Sequence, residues 1–315
     1  MKWIVRIAGV LLALPVLGLG AVMVVYHQAD RPVEELKPRW APPPSQFAEI
    51  AGMQVHYRDE GAPDAAQTVV LLHGTSSSLH TWEGWAQALQ HHYRVISFDM
   101  PGFGLTGPDP NNDYSIENYA RVVVAVMDKL GVAHAAVGGN SLGGQVAWAT
   151  AVLYPTRVDH LILVDSAGYP FTPKSIPLGF RIARTPGLRV LMKDVLPRKV
   201  IEDSVRNVFG DPSKVTPELV DRYFDMTTRA GNREALALRF AQMKPDGFDQ
   251  RIPEIKVPTL IQWGGQDRLI PPDNAGRFHH DIAGSTVVIY EELGHVPQEE
   301  DAPRTVIAVE AFLPH

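Results

Sequence analysis

The stretch Val137-Gly138-Gly139-Asn140-Ser141-Leu142-Gly143-Gly144 joins an apolar run, Ala135-Ala136-Val137, to residues 145–154, which carry Val146, Ala149 and Leu153 at helical spacing. The run reads as a buried strand and the following segment as a helix with one face packed inward, so Ser141 is predicted to sit on a strand-to-helix turn. A turn this sharp strains its central residue and brings neighbouring backbone into contact. Glycines two before and two after the serine, Gly139 and Gly143, are then a steric requirement. The N–H of Leu142, at the start of the helix, would point toward an anion. In a chain with 26 glycines the pattern G-x-S-x-G is weak by itself, and its strand–turn–helix setting carries the weight.

Outward from this turn the same alternation recurs. Apolar strand cores are predicted at residues 68–72, 95–98, 135–137 and 161–164, with helices near 81–90, 115–130 and 145–154 between them. Strands that alternate with helices form a mostly parallel, doubly wound sheet covered on both faces. A β-hairpin over 47–50 and 53–57, turning through Ala51-Gly52, precedes it. From 169 to 247 the alternation stops. Prolines punctuate this region, and helical runs at 201–209, 217–229 and 233–243 appear without a clear strand, which predicts a helical cap inserted into the sheet domain. The sheet pattern resumes at 259–263 and 286–290, with a helix near 273–280 between them and a last helix over 302–313. The core is therefore expected over 47–168 and 248–315, with the cap over 169–247.

In such sheets the chemistry collects at the strand ends. His73-Gly74-Thr75-Ser76-Ser77-Ser78 follows the first core strand, at the edge where Ser141 emerges, and the N–H of Thr75 is the candidate to complete an oxyanion hole with that of Leu142. His73 reads as a structural histidine that supports the loop by hydrogen bonding. Asp99-Met100-Pro101-Gly102 reads as a turn shaping the pocket floor. A serine hydroxyl needs a base, and neutral imidazole suits neutral pH. Of His279, His280, His295 and His315, only His295 follows a terminal strand in a glycine-marked loop. The group that orients the imidazole is sought in the loops after strands. Asp267, in Gly264-Gly265-Gln266-Asp267, is preferred over its rival Asp165 because the order Ser…Asp…His, with the acid in the loop before the histidine loop, suits this elbow.

The motifs His73-Gly74, Asp99-Met100-Pro101-Gly102, Gly139-Asn140-Ser141-Leu142-Gly143, Gly264-Gly265-Gln266-Asp267 and Gly294-His295, in that order, resemble the α/β-hydrolase superfamily. Within it they are similar to the cap-bearing bacterial branch of lipase-like esterases and meta-cleavage-product hydrolases. The resemblance runs from about Phe47 to the C-terminus. It implies Ser141 as nucleophile, His295 as base, Asp267 as orienting acid and the N–H groups of Thr75 and Leu142 as oxyanion donors. Serine at the elbow argues against haloalkane dehalogenases and epoxide hydrolases, which need aspartate there. Asn140 departs from the histidine of many lipases and is closer to the carbon–carbon hydrolase pattern.

Composition bounds the rest. A net charge of −6 with 20% charged residues gives no footprint for nucleic acid, and the absence of cysteine excludes disulfides, thiolate metal sites and a lipid-modified N-terminal cysteine. No metal or organic cofactor is expected, since serine, histidine and backbone donors supply the chemistry. Residues 7–26 form an uncharged run long enough for one transmembrane helix, preceded by Lys2 and Arg6, with a cleaved secretory signal as the competing reading. Residues 1–29 are therefore expected to anchor the chain in a membrane, in a bacterial cell envelope, or to direct its secretion if cleaved. Residues 30–46, with Pro38 and Pro42-Pro43-Pro44, are expected to be a semi-rigid spacer. The expected activity is hydrolysis of a small-molecule or lipid carboxylic ester by an acyl-enzyme on Ser141. The alternatives are carbon–carbon bond hydrolysis by the same triad, or a non-catalytic binding protein of hydrolase fold.

Overall fold

Strands buried on both faces lose the polar alternation of an amphipathic strand, and this chain's central strands are continuous apolar runs for that reason. The computed structural model describes residues 23, 25–185, 187, 194–243 and 247–314. Eight strands form one sheet in the order β1-β2-β4-β3-β5-β6-β7-β8. They are β1 Gln46–Ile50, β2 Met53–Glu60, β3 Thr68–Leu72, β4 Arg94–Phe98, β5 Ala135–Asn140, β6 Val158–Val164, β7 Thr259–Gly264 and β8 Thr286–Tyr290. The hairpin β1–β2 is antiparallel and joins β4 antiparallel, whereas all pairings from β4 to β8 are parallel.

The side-chain period of two sends alternate residues to opposite layers. Val70 and Leu72 of β3 belong to one apolar cluster; Val69 and Leu71 belong to the other. Against the first layer pack α3 (Ile116–Lys129) and α4 (Leu142–Leu153), and against the second α2 (Glu83–Leu89) and α11 (Ala302–Phe312). α3 is started by the Ser115 hydroxyl, which accepts from the Asn118 N–H at 3.3 Å, and it buries Tyr119, Val122, Val123 and Val126 at helical spacing.

Between β6 and β7 the chain forms α5 (Leu178–Arg184), α6 (Arg198–Val208), α7 (Pro217–Thr228) and α8 (Asn232–Gln242). α7 begins with Thr216 accepting from the Leu219 N–H at 3.1 Å and Pro217 in the first turn, a start readable in the sequence. Leu196, Ile201, Val205, Phe209, Val215 and Val220 make a small core for this insertion, and Val296, next to His295, completes it. After β7 come α9 (Asp273–Asp281) and, beyond β8, α10 (Pro297–Glu300).

Two expectations for the N-terminal region are corrected. Among the described residues no helix is long and apolar enough to cross a membrane. The expected anchor, and the envelope or secreted location drawn from it, are therefore withdrawn. Most of the expected span, residues 7–22 and 24, lies outside the described residues, while at its end the Tyr26 carbonyl accepts from the Leu196 N–H of the inserted region at 3.1 Å. Nor do residues 30–46 form a free-standing semi-rigid spacer. They include α1 (Val33–Trp40), which contains Pro38 and buries Leu36 and Trp40 with Leu105 and Met226. Asp225 of α7 holds this segment by accepting from Arg31 Nη1 at 2.7 Å and from the Trp40 indole N–H at 2.8 Å. Proline content predicts a semi-rigid spacer; burial of one tryptophan and one leucine against distant residues favours the helix.

Candidate active site

Gly139 and Gly143 face each other across the turn after β5. A Cβ on Gly139 would lie 2.2 Å from the Gly143 carbonyl, and one on Gly143 would lie 2.0 Å from the Leu72 carbonyl oxygen. Backbone cannot swing aside as a side chain can, so both positions require glycine. Between them Ser141 has φ 56° and ψ −114°, a strained conformation that costs a non-glycine residue of order 1–3 kcal/mol. Its own backbone holds it there: the Ser141 N–H donates to the Val164 carbonyl at 3.0 Å, and its carbonyl accepts from Ala167 and Gln145, each at 3.0 Å.

Leu142 opens α4, where the first N–H groups have no partner within the helix. The loop after β3 approaches the same place, since a Cβ on Gly74 would be 3.3 Å from Ser141 Cβ. Thr75 is the next residue, so the two expected oxyanion donors flank the serine. His73 is a structural group in this arrangement. Its Nε2 accepts from the Met100 N–H at 2.9 Å, so the proton lies on Nδ1, which donates to the Gly74 carbonyl at 2.7 Å. Burial pushes the His73 imidazole below its usual pKa and keeps it neutral.

Asp267 and His295 come from the loops after β7 and β8. His295 Nδ1 is 2.6 Å from Asp267 Oδ2, and both side chains are almost wholly buried. The Asp267 Oδ1 accepts from the N–H groups of Leu269 at 2.8 Å and Ile270 at 2.9 Å. With its two oxygens so engaged, the carboxylate holds the imidazole with the proton on Nδ1 and leaves Nε2 as the basic nitrogen. Ser141, His295, Gly74, Thr75 and Asn140 line one cleft, roofed by Pro177, Phe180, Ile201, Val205, Tyr223 and Leu236 from the inserted helices. The Asp99 turn does not line it. Asp99 is buried and accepts from the Leu79 and Leu105 N–H groups at 2.7 Å each, with His56 Nδ1 also at 2.7 Å, so it ties loops together away from the cleft.

Three side chains have site roles that sequence reading did not assign. Asn140 Nδ2 donates to the His295 carbonyl at 2.8 Å and to the Val164 carbonyl at 3.2 Å, stapling the elbow to the histidine loop. Glu300 accepts from the N–H groups of Gly294 at 2.8 Å, Gly210 at 2.9 Å and Asp211 at 2.8 Å, and so binds the histidine loop to the end of α6. The His295 N–H reinforces this link by donating to the Val208 carbonyl at 2.7 Å. Asp165, the rival acid, does not take the place of Asp267 beside His295 Nδ1, but it lies next to the pair. A carboxylate oxygen of each aspartate and a ring nitrogen of His295 fall within 4.8 Å of one another. Short-range patterns carry no signal for such contacts across 155 residues for Asn140 or 90 for Glu300.

Residues 67–302 match the family described as alpha/beta hydrolase fold. The 2-hydroxy-6-oxononadienedioate/2-hydroxy-6-oxononatrienedioate hydrolase 2 of Pseudomonas putida is 32% identical over 291 residues, covering 86% of this chain and 96% of that protein. Among solved structures, the enol-lactonase of Burkholderia xenovorans superposes with a TM-score of 0.72 at 25% identity, over 85% of this chain and 99% of its own. The meta-cleavage product hydrolase of Pseudomonas fluorescens does so with 0.71 at 26%, over 84% and 97%.

Proposed function

The chain belongs to the alpha/beta hydrolase fold family, and on that premise we propose that it is a cofactor-free serine hydrolase with Ser141 as nucleophile, His295 as general base and Asp267 as the orienting acid. The observation that carries this is the 2.6 Å link from His295 to Asp267 beneath the cleft that Ser141 also lines. His295 Nε2 takes the Ser141 proton as Oγ attacks a carbonyl carbon. The N–H groups of Thr75 and Leu142 receive the developing oxyanion, and the imidazolium returns its proton to the leaving group. Water then repeats the sequence on the acyl-enzyme.

For the bond that is broken, the relatives support a carbon–carbon bond of the meta-cleavage-product type, ahead of the carboxylic ester expected from sequence. In that reaction Ser141 attacks a ketone, the leaving group is a carbanion delocalised over a conjugated chain, and His295 supplies the proton that quenches it. Ester hydrolysis is the second reading, and a specific observation favours it: among the described residues, no lysine or arginine lines the cleft. A dioate would bring a carboxylate into an apolar site where, among the described residues, no counter-ion lines the wall, which is costly. The enol-lactonase supports the same reading, a lactone being a cyclic ester. Turnover of a 2-hydroxy-6-oxo-dienoate and of a p-nitrophenyl ester chain-length series, by wild type and Ser141→Ala, decides between them. Hydrolysis of either that survives the substitution refutes the serine mechanism.

A further inference from the structure

Asp165 is fully buried at the end of β6, in a left-handed backbone conformation with φ 44°. Its Oδ1 accepts from the Gly264 N–H at 3.0 Å, whereas its Oδ2 is buried with no donor directed at it. An ionised carboxylate oxygen left bare in the interior is strongly disfavoured. The titratable groups that face it are Asp267 from the loop after β7, His295 from the loop after β8 and Glu300 from α10. Two carboxyl groups this close, both out of water, do not ionise together. Asp267 has the better claim to the charge, because it accepts two backbone N–H groups and the imidazole, against one N–H for Asp165. Burial first, and the neighbouring Asp267 second, push the Asp165 carboxyl well above the usual carboxylate range.

Resting on the triad reading above, we propose that Asp165 is a positioning residue: a neutral carboxylic acid whose Oδ2–H donates to the Asp267 carboxylate, holding it toward His295 and limiting the basicity of the pair. The negative charge is shared over two carboxyl groups. The Asp267 carboxylate that faces His295 is thereby a weaker acceptor than one with no donor at its side.

The test is the titration of His295, followed by NMR of isotope-labelled histidine in the full chain, for wild type, Asp165→Asn and Asp165→Ala. The amide of asparagine can donate where the acid did, so Asp165→Asn leaves the His295 midpoint in place. Asp165→Ala removes the donor and raises the midpoint by about one pH unit. A fall of a unit or more in Asp165→Asn means that a negative charge was removed, and overturns the proposal, as does an unmoved midpoint in Asp165→Ala. Infrared spectra of the wild type give a second readout should a variant not fold: a protonated-carboxyl band that Asp165→Asn removes is expected, and no such band in the wild type overturns the assignment. Neither readout requires turnover. Failure of the hydrolase reading would show separately, as hydrolysis that survives Ser141→Ala.

Discussion

Glu300 offers a sharp test of how the histidine loop is held. It accepts three backbone N–H groups, from buried Gly294 beside His295, from half-buried Gly210 and from exposed Asp211 at the end of α6. A hydrogen bond to a charged acceptor contributes about 1.5–3 kcal/mol, against about 1 kcal/mol for a neutral one. In Glu300→Gln the amide oxygen can serve Gly294 and Gly210, which share Oε2 in the wild type, while the amide nitrogen faces the Asp211 N–H, which turns to water. Two bonds are weakened and one is exchanged for solvent, so the cost is about 2 kcal/mol. Glu300→Ala leaves the Gly294 N–H buried without an acceptor and should cost about 3–5 kcal/mol. Urea unfolding measures both. At temperatures where both variants remain folded, Glu300→Ala should also lower kcat about tenfold to a hundredfold with less effect on KM, since displacement of a catalytic group by about 1 Å costs on that order. If Glu300→Ala unfolds within about 0.5 kcal/mol of wild type, the three-point clamp is not what holds the loop.

Ser141→Ala and His295→Ala should each abolish hydrolysis, since members of a triad act as a unit, and Asp267→Asn should lower kcat by roughly three to four orders of magnitude by favouring the wrong tautomer; steady-state kinetics in which Asp267→Asn stays within tenfold of wild type would remove Asp267 from its role. Exhaustive chelation should leave activity unchanged, and a loss restored by a single divalent ion would count against the cofactor-free mechanism. Burial, and then the charge of Arg222, lower the His80 pKa from 6.5 to about 4. The folded state therefore resists a proton that the unfolded chain accepts, and stability is lost as pH falls from about 6.5 toward 4. From pH 7 to 4.5 this amounts to about 2 kcal/mol at 1.36 kcal/mol per unit. His80→Gln should flatten the urea-unfolding profile by that amount, and an equal loss in both proteins would refute the assignment.

Short-range pattern determined a good deal here. The central strands were legible because burial on both faces makes them uninterrupted apolar runs, and the elbow because backbone contacts near 2 Å leave glycine no substitute at 139 and 143. Ser141, Asp267 and His295 stand out as candidates because each lies in a loop after a strand, and parallel strands bring such loops to one edge. Sequence also predicts a membrane anchor from an apolar N-terminal run and a semi-rigid spacer from a proline-rich stretch; among the described residues no helix could span a membrane, and the proline-rich stretch holds a packed helix. Both readings used composition alone. Whether a segment is extended or helical was decided by partners far along the chain, with Trp40 and Arg31 finding Asp225 nearly two hundred residues away. The same holds for Asp165 and Glu300. Their neighbours converge only when β6, β7, the histidine loop and the end of α6 pack together, and burial there turns two ordinary carboxyl groups into one that keeps its proton and one that holds three N–H groups.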